Sequence, residues 1–119
     1  MAEKLTDYRQ LNVWQKAHKL AMDVYEVTKK YPKDEKGELV SRMRIAAESI
    51  PIKIAEGFMR RSPREKENAY KQTQEGLESL KYFLILSDEL DYIKDAEEIL
   101  LATEELGRML GGLVRSARP

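Results

Sequence analysis

Apolar residues recur at three- and four-residue steps in four stretches of the chain, and no segment alternates as a half-buried strand would. The first stretch runs from about Asn12 to Lys30, with Trp14, Ala17, Ala21, Val24, Tyr25 and Thr28 on one helical face. Asn12 is placed to cap it, with Gln15 reaching back as in a capping box. Lys29 and Lys30 suit the negative end of the helix dipole. Pro32 and Gly37 bound a short polar turn. The second stretch spans Glu38 to Met59, with Leu39, Met43, Ala46, Ala47, Ile50, Ile54 and Phe58 as its buried stripe. Pro51 lies inside it, lacking an N–H and crowding the carbonyl of Ala47. Because the apolar period continues in step on both sides, a kink is predicted there rather than a break.

Ser62-Pro63-Arg64-Glu65 is a helix start: a Ser cap, Pro at the first helical position, and Glu three residues after the cap. The third helix then runs to about Leu90 and buries Tyr70, Thr73, Leu77, Leu80, Leu84 and Ser87. Residues 91–94 form a turn, and Asp95 caps a fourth helix with Glu98 in the box position. Its stripe is Ile99, Ala102, Leu106, Met109 and Leu113. Gly107, Gly111 and Gly112 cost about 1 kcal/mol each against Ala. They either allow close helix packing or let the helix end fray. Short turns force neighbouring helices antiparallel, so the fold is all-α: an up-down-up-down four-helix bundle over residues 11–116, after an N-terminal extension, residues 1–10.

Composition agrees with that reading. In 119 residues, 42% hydrophobic and 35% charged with few Gly and Pro, the mixture is that of amphipathic helices in one domain. There is no cysteine, which excludes disulfides and thiolate chemistry. MAEKLTDYRQ has no apolar signal core, and no apolar run nears the ~20 residues of a membrane span. A soluble, cytoplasmic protein with no membrane partner is expected.

Catalytic and cofactor chemistry is not expected either. Di-metal bundles need Glu-x-x-His pairs on two helices, and this chain has one histidine, His18, without that pattern. A haem would need His18 with Met22, a four-residue spacing too common to count. There is no phosphate-binding glycine loop, nucleophile elbow or HExxH. The carboxylates stand beside Lys and Arg, where helical ion pairs account for them. The reading is of a non-enzyme with no cofactor and no metal.

Residues 46–62 read Ala-Ala-Glu-Ser-Ile-Pro-Ile-Lys-Ile-Ala-Glu-Gly-Phe-Met-Arg-Arg-Ser. The string resembles the motif R-R-A-A-x-S-I-P-x-N-I-A-E-G-x-x-R-x-S of the four-helix-bundle family of proteins encoded in 23S rRNA intervening sequences. Val13-Trp14-Gln15-Lys16-Ala17 resembles that family's V-W-Q-x-A, and Leu90-Asp91-Tyr92-Ile93 its L-G-Y-I turn. The resemblance covers roughly residues 11 to 115. It implies a homo-oligomer, typically a five-fold ring, with RNA association. A related branch, the accessory variability determinants of retroelements, implies RNA or DNA and a reverse transcriptase as partners. The sequence departs from the motif at Ile45, Ile52 and Lys53, where the family carries Arg, a small polar residue and Asn, and at Ser79, where it carries Glu.

Net charge is zero but unevenly placed: residues 42–66 are basic and residues 75–105 acidic. Arg42, Arg44, Lys53, Arg60, Arg61 and Arg64 are therefore the candidate nucleic-acid contacts, since phosphate binding needs converging cations. Glu56 stands within ion-pair reach of Lys53 and Arg60, and intrahelical ion pairing is the competing reading. No aromatic residue interleaves the basic ones as a base-stacking platform. The expected function is an RNA-associated accessory protein; the alternative is an assembly or adaptor module that binds itself and a protein. Ile45, Ile52 and Met59 recur at seven-residue steps, away from the buried stripe, and are expected to form an oligomer interface. The alternative is that a kink at Pro51 turns some of them inward.

Overall fold

The computed structural model describes residues 5–119. Four α-helices carry the fold: α1 Asn12–Thr28, α2 Leu39–Met59, α3 Pro63–Glu89 and α4 Glu97–Ala117. Each packs on its neighbours in chain order, and α1 closes the ring against α4. The result is the antiparallel four-helix bundle that the periodicity and the short turns predict. One continuous core runs through it, from Val13, Ala17 and Val24 of α1 to Ile99, Leu106 and Leu110 of α4.

On α3 every residue expected to be buried is buried. Ser62 caps it, its Oγ accepting the N–H of Glu65 at 3.1 Å. Helix α2 runs unbroken through Pro51, which lies buried within it. Helix α1 differs from expectation at both ends. Asn12 makes no capping bond; the reciprocal box sits one turn earlier, between Asp7 and Gln10, and Gln15 donates to the carbonyl of Arg9 at 2.9 Å. Val13 and Leu20 are buried in the core, Trp14 packs half-buried against its edge, and Tyr25 is exposed.

Helix α4 is also rotated, by roughly 50° at 3.6 residues per turn. Thr103, Leu110, Val114 and Ala117 point inward, with Ala102, Met109 and Leu113 half-buried beside them. A hydroxyl is no obstacle to that facing, because Thr103 donates to the carbonyl of Leu100 at 2.6 Å. Thr28, Thr73 and Ser87 are satisfied within their own helices in the same way. The glycines of α4 do not end it. At Gly107 a Cβ would meet Leu77 of α3 at 3.6 Å, an ordinary contact, so close packing does not require a glycine there. Helix α4 starts one residue later than expected, with Ala96 at the cap position and no capping box from Glu98; Asp95 Oδ1 still accepts the N–H of Glu97 at 3.2 Å.

The α3–α4 turn has a defined geometry. Tyr92 N–H donates to the Ser87 carbonyl at 2.9 Å and Asp91 N–H to that of Asp88 at 3.0 Å, the paired bonds of a Schellman ending. Such an ending puts its pivot residue in the left-handed region, and Asp91 has φ 61°. Asp91→Gly is therefore expected to stabilise the chain by about 1 kcal/mol, the left-handed penalty of a residue with a Cβ. Chemical denaturation of the two proteins side by side measures it.

Candidate assembly face and basic turn

The six candidate basic residues are not equivalent. Arg44 belongs to the fold: its Nε donates to Thr28 Oγ1 at 3.0 Å and its Nη2 to the Tyr25 carbonyl at 3.3 Å. Its guanidinium also lies 4.4 Å from the centre of the Tyr25 ring. A positive group is favoured at the carbonyl end of α1, and Arg44 supplies it from the neighbouring helix. Arg42 pairs with Glu38 at 3.3 Å and stands 5.9 Å over the Phe83 ring. Arg44 is thus committed to the fold, while the Arg42–Glu38 pair is exposed and weak.

Arg60, Arg61 and Arg64 are exposed in and beside the α2–α3 turn, and Lys53 is half-buried about two helical turns before Arg60. Among the described residues none of these four has an ion-pair partner. The expected pairs of Glu56 with Lys53 and Arg60 do not form. The end of α2 is instead closed by Lys66, whose Nζ donates to the carbonyls of Gly57 and Phe58 and lies 5.3 Å over the Phe58 ring. Arg60, Arg61 and Arg64 thus lie exposed at one turn, and Arg44 is held at the end of α1.

The motif's glycine has a packing reason. A Cβ at Gly57 would stand 2.6 Å from Cε1 of Tyr70, a buried ring on α3. Only a residue without a Cβ lets α2 and α3 approach this closely just before their turn.

Ile45, Ile52 and Met59 are 63%, 54% and 69% exposed, so the helix through Pro51 does not turn them inward. Ile52 lines a groove between α1 and α2 of about 780 Å³, and Met59 lines a smaller one with Tyr8 and Ala55. Tyr8, Trp14, His18, Met22, Tyr25 and Ile52 give the larger groove its apolar and aromatic walls. His18 stacks on Trp14 with ring centroids 5.1 Å apart and planes 11° from parallel. Tyr25 donates its hydroxyl to Glu48, and that carboxylate holds the phenol protonated above the usual tyrosine range.

The α1 half of this face was not foreseen from the residues. Trp14, His18 and Met22 do recur at four-residue steps, which is the signal that could have found it. With Trp14 and Tyr25 assigned to the core, that row has no visible function. Among the described residues no group of His, Asp and Glu gathers as a metal site, and no helix is long and apolar enough to cross a membrane.

None of the curated proteins compared with the chain matches it. The sequence profile of the 23S rRNA-intervening sequence protein family matches residues 9–112, nearly the whole bundle. That match covers far more than half of the sequence, and the chain belongs to this family.

Proposed function

We propose that this protein is a non-enzymatic homo-oligomer whose copies meet through the outer face of α1 and α2 and which associates with RNA through Arg60, Arg61 and Arg64. The observation that carries the reading is the row of Ile45, Ile52 and Met59, large apolar side chains left open to solvent beside an apolar groove. Monomeric proteins seldom expose a continuous apolar patch of this kind, because water exacts a cost at every part of it. Covering it with protein removes that cost.

The basic turn adds the second half. Three arginines without counter-charges on the described chain are a weak phosphate site in one copy. In a cyclic assembly all copies share one orientation about the axis, so the turn recurs around a single rim. Several modest contacts on one strand then act together with a high effective concentration.

Purification without nuclease, followed by light scattering with absorbance at two wavelengths, tests both halves. The native chain is expected to run as an oligomer carrying nucleic acid. Ile45→Glu with Ile52→Glu is expected to run as a monomer of unchanged helical content by circular dichroism. An oligomer that survives both substitutions removes the α2 row from the contact. Arg60→Ala with Arg61→Ala and Arg64→Ala is expected to keep the oligomer but to weaken RNA binding for every sequence, with a flatter dependence on salt. Equal affinity in that variant would take the turn out of RNA binding and leave an assembly module.

A further inference from the structure

The small recess that Met59 lines has a volume of about 330 Å³ and walls of three chemical kinds. Tyr8 supplies an aromatic ring, Ala55 and Met59 apolar surface, and Glu56 and Arg60 opposite charges. Antiparallel packing brings them together. The turn at Tyr8–Gln10 leads into α1 and packs beside α2, whose last residues run into the basic turn. Arg60 therefore has an aromatic neighbour, contributed by a segment far from it in the sequence.

Tyr8 is held in place by its own surroundings. Asp7 and Gln10 close a capping box around its turn, and Gln15 donates to the Arg9 carbonyl. The Tyr8 ring packs against Trp14, with centroids 5.4 Å apart and planes at 60°. A ring fixed in this way loses little freedom when a flat partner settles on it. Stacking on such a ring is how single-stranded nucleic acid is commonly held, because every base has a π-face.

The two charges narrow the choice of base. Arg60 is exposed and has no ion-pair partner among the described residues, so it can receive a phosphate. Arg9 is engaged instead, bound to Asp7 at 2.6 Å. Glu56 repels a phosphate, and the occupant has to answer its carboxylate with hydrogen-bond donors. Among the four RNA bases only guanine presents two adjacent N–H donors, N1–H and N2–H, on one edge. That edge is hidden in a duplex and open in an unpaired strand.

We propose that this recess takes one unpaired guanine of the RNA, its ring on Tyr8, its N1–H and N2–H donating to Glu56, and its phosphate on Arg60. This rests on the RNA reading above and specifies what in the strand is recognised. The recess lies at the end of the α2 row beside the basic turn, so it borders the face that Ile45 and Ile52 supply for assembly.

Fluorescence anisotropy over a range of salt concentrations tests it, with a labelled oligouridylate and with the same strand carrying one central guanosine. The native chain is expected to bind the guanosine strand about tenfold more tightly, as hydrogen bonds to a charged group would give. Tyr8→Ala should lose about tenfold in affinity for that strand with an unchanged salt slope, because a stack neutralises no phosphate. Tyr8→Phe should bind as the native chain does. Glu56→Ala should abolish the preference for guanosine without weakening the binding of oligouridylate. Glu56 is exposed, so this variant reads the site even if Tyr8→Ala disturbs the fold. Equal affinity of the native chain for the two strands would overturn the proposal, and so would a preference that survives Glu56→Ala. Weaker binding in the Arg60, Arg61 and Arg64 triple variant, with none lost in a folded Tyr8→Ala, would leave the basic turn standing and remove the base site alone. A native chain that binds neither strand would overturn both.

Discussion

Leu80→Ala is expected to destabilise the chain by about 2–5 kcal/mol, the range found when a fully buried Leu is cut back to Ala. Leu80 has no solvent exposure and belongs to the continuous core. Removing three of its carbons loses their transfer from water and leaves a space that the neighbouring helices can close only in part. Lys81, the next residue, lies toward the rim of an open trough between α3 and α4, and Lys81→Ala is expected to leave stability nearly unchanged. Urea denaturation followed by circular dichroism compares the two. If Lys81→Ala proved the more damaging, the facing of α3 would be wrong by about one residue.

A smaller change should cost about 1–3 kcal/mol at Gly57, the usual penalty for forcing extra volume into a packed site. Within a helix, Gly→Ala ordinarily gains about 1 kcal/mol from propensity alone. At Gly57 the new Cβ would lie 2.6 Å and 2.9 Å from two ring carbons of Tyr70, and 3.1 Å from the Cβ of Ala69. Tyr70 is buried beneath Val114 and Ala117, so its ring has little room to withdraw. Packing is expected to win over propensity, and Gly57→Ala should be less stable than the native chain. The double variant Gly57→Ala with Tyr70→Ala closes the cycle: the glycine change should cost much less when the ring is absent. A Gly57→Ala variant that is more stable than the native chain would show that α2 and α3 separate there at no cost.

The two halves of the candidate site were unequally legible. Ile45, Ile52 and Met59 stand out from the residues alone, because a seven-residue recurrence returns to nearly the same helical face and that face lies outside the α2 stripe. Arg60, Arg61 and Arg64 stand out as charge next to a capped helix start. The role of Arg44 was not visible, because it depends on Thr28 and Tyr25, sixteen and nineteen residues away on another helix. Lys66 was missed for the same reason, since its carbonyl partners lie on the preceding helix.

What the sequence determined by itself was everything that follows from short-range steric rules and hydrophobic spacing: four helices, the Ser62 cap, the short turns, and the buried row of α3. Periodicity defines an apolar arc on each helix, but not which part of a broad arc meets the core. That choice was left to packing, which turned Thr103, Leu110 and Val114 of α4 inward, and left Trp14 half-buried and Tyr25 exposed on α1. It was packing also that placed Ile52 of α2 beside the Trp14, His18 and Met22 row of α1 in one groove and brought Gly57 against Tyr70. Those contacts depend on how the helices dock, and docking is decided by the volumes and hydrogen bonds of all four helices together.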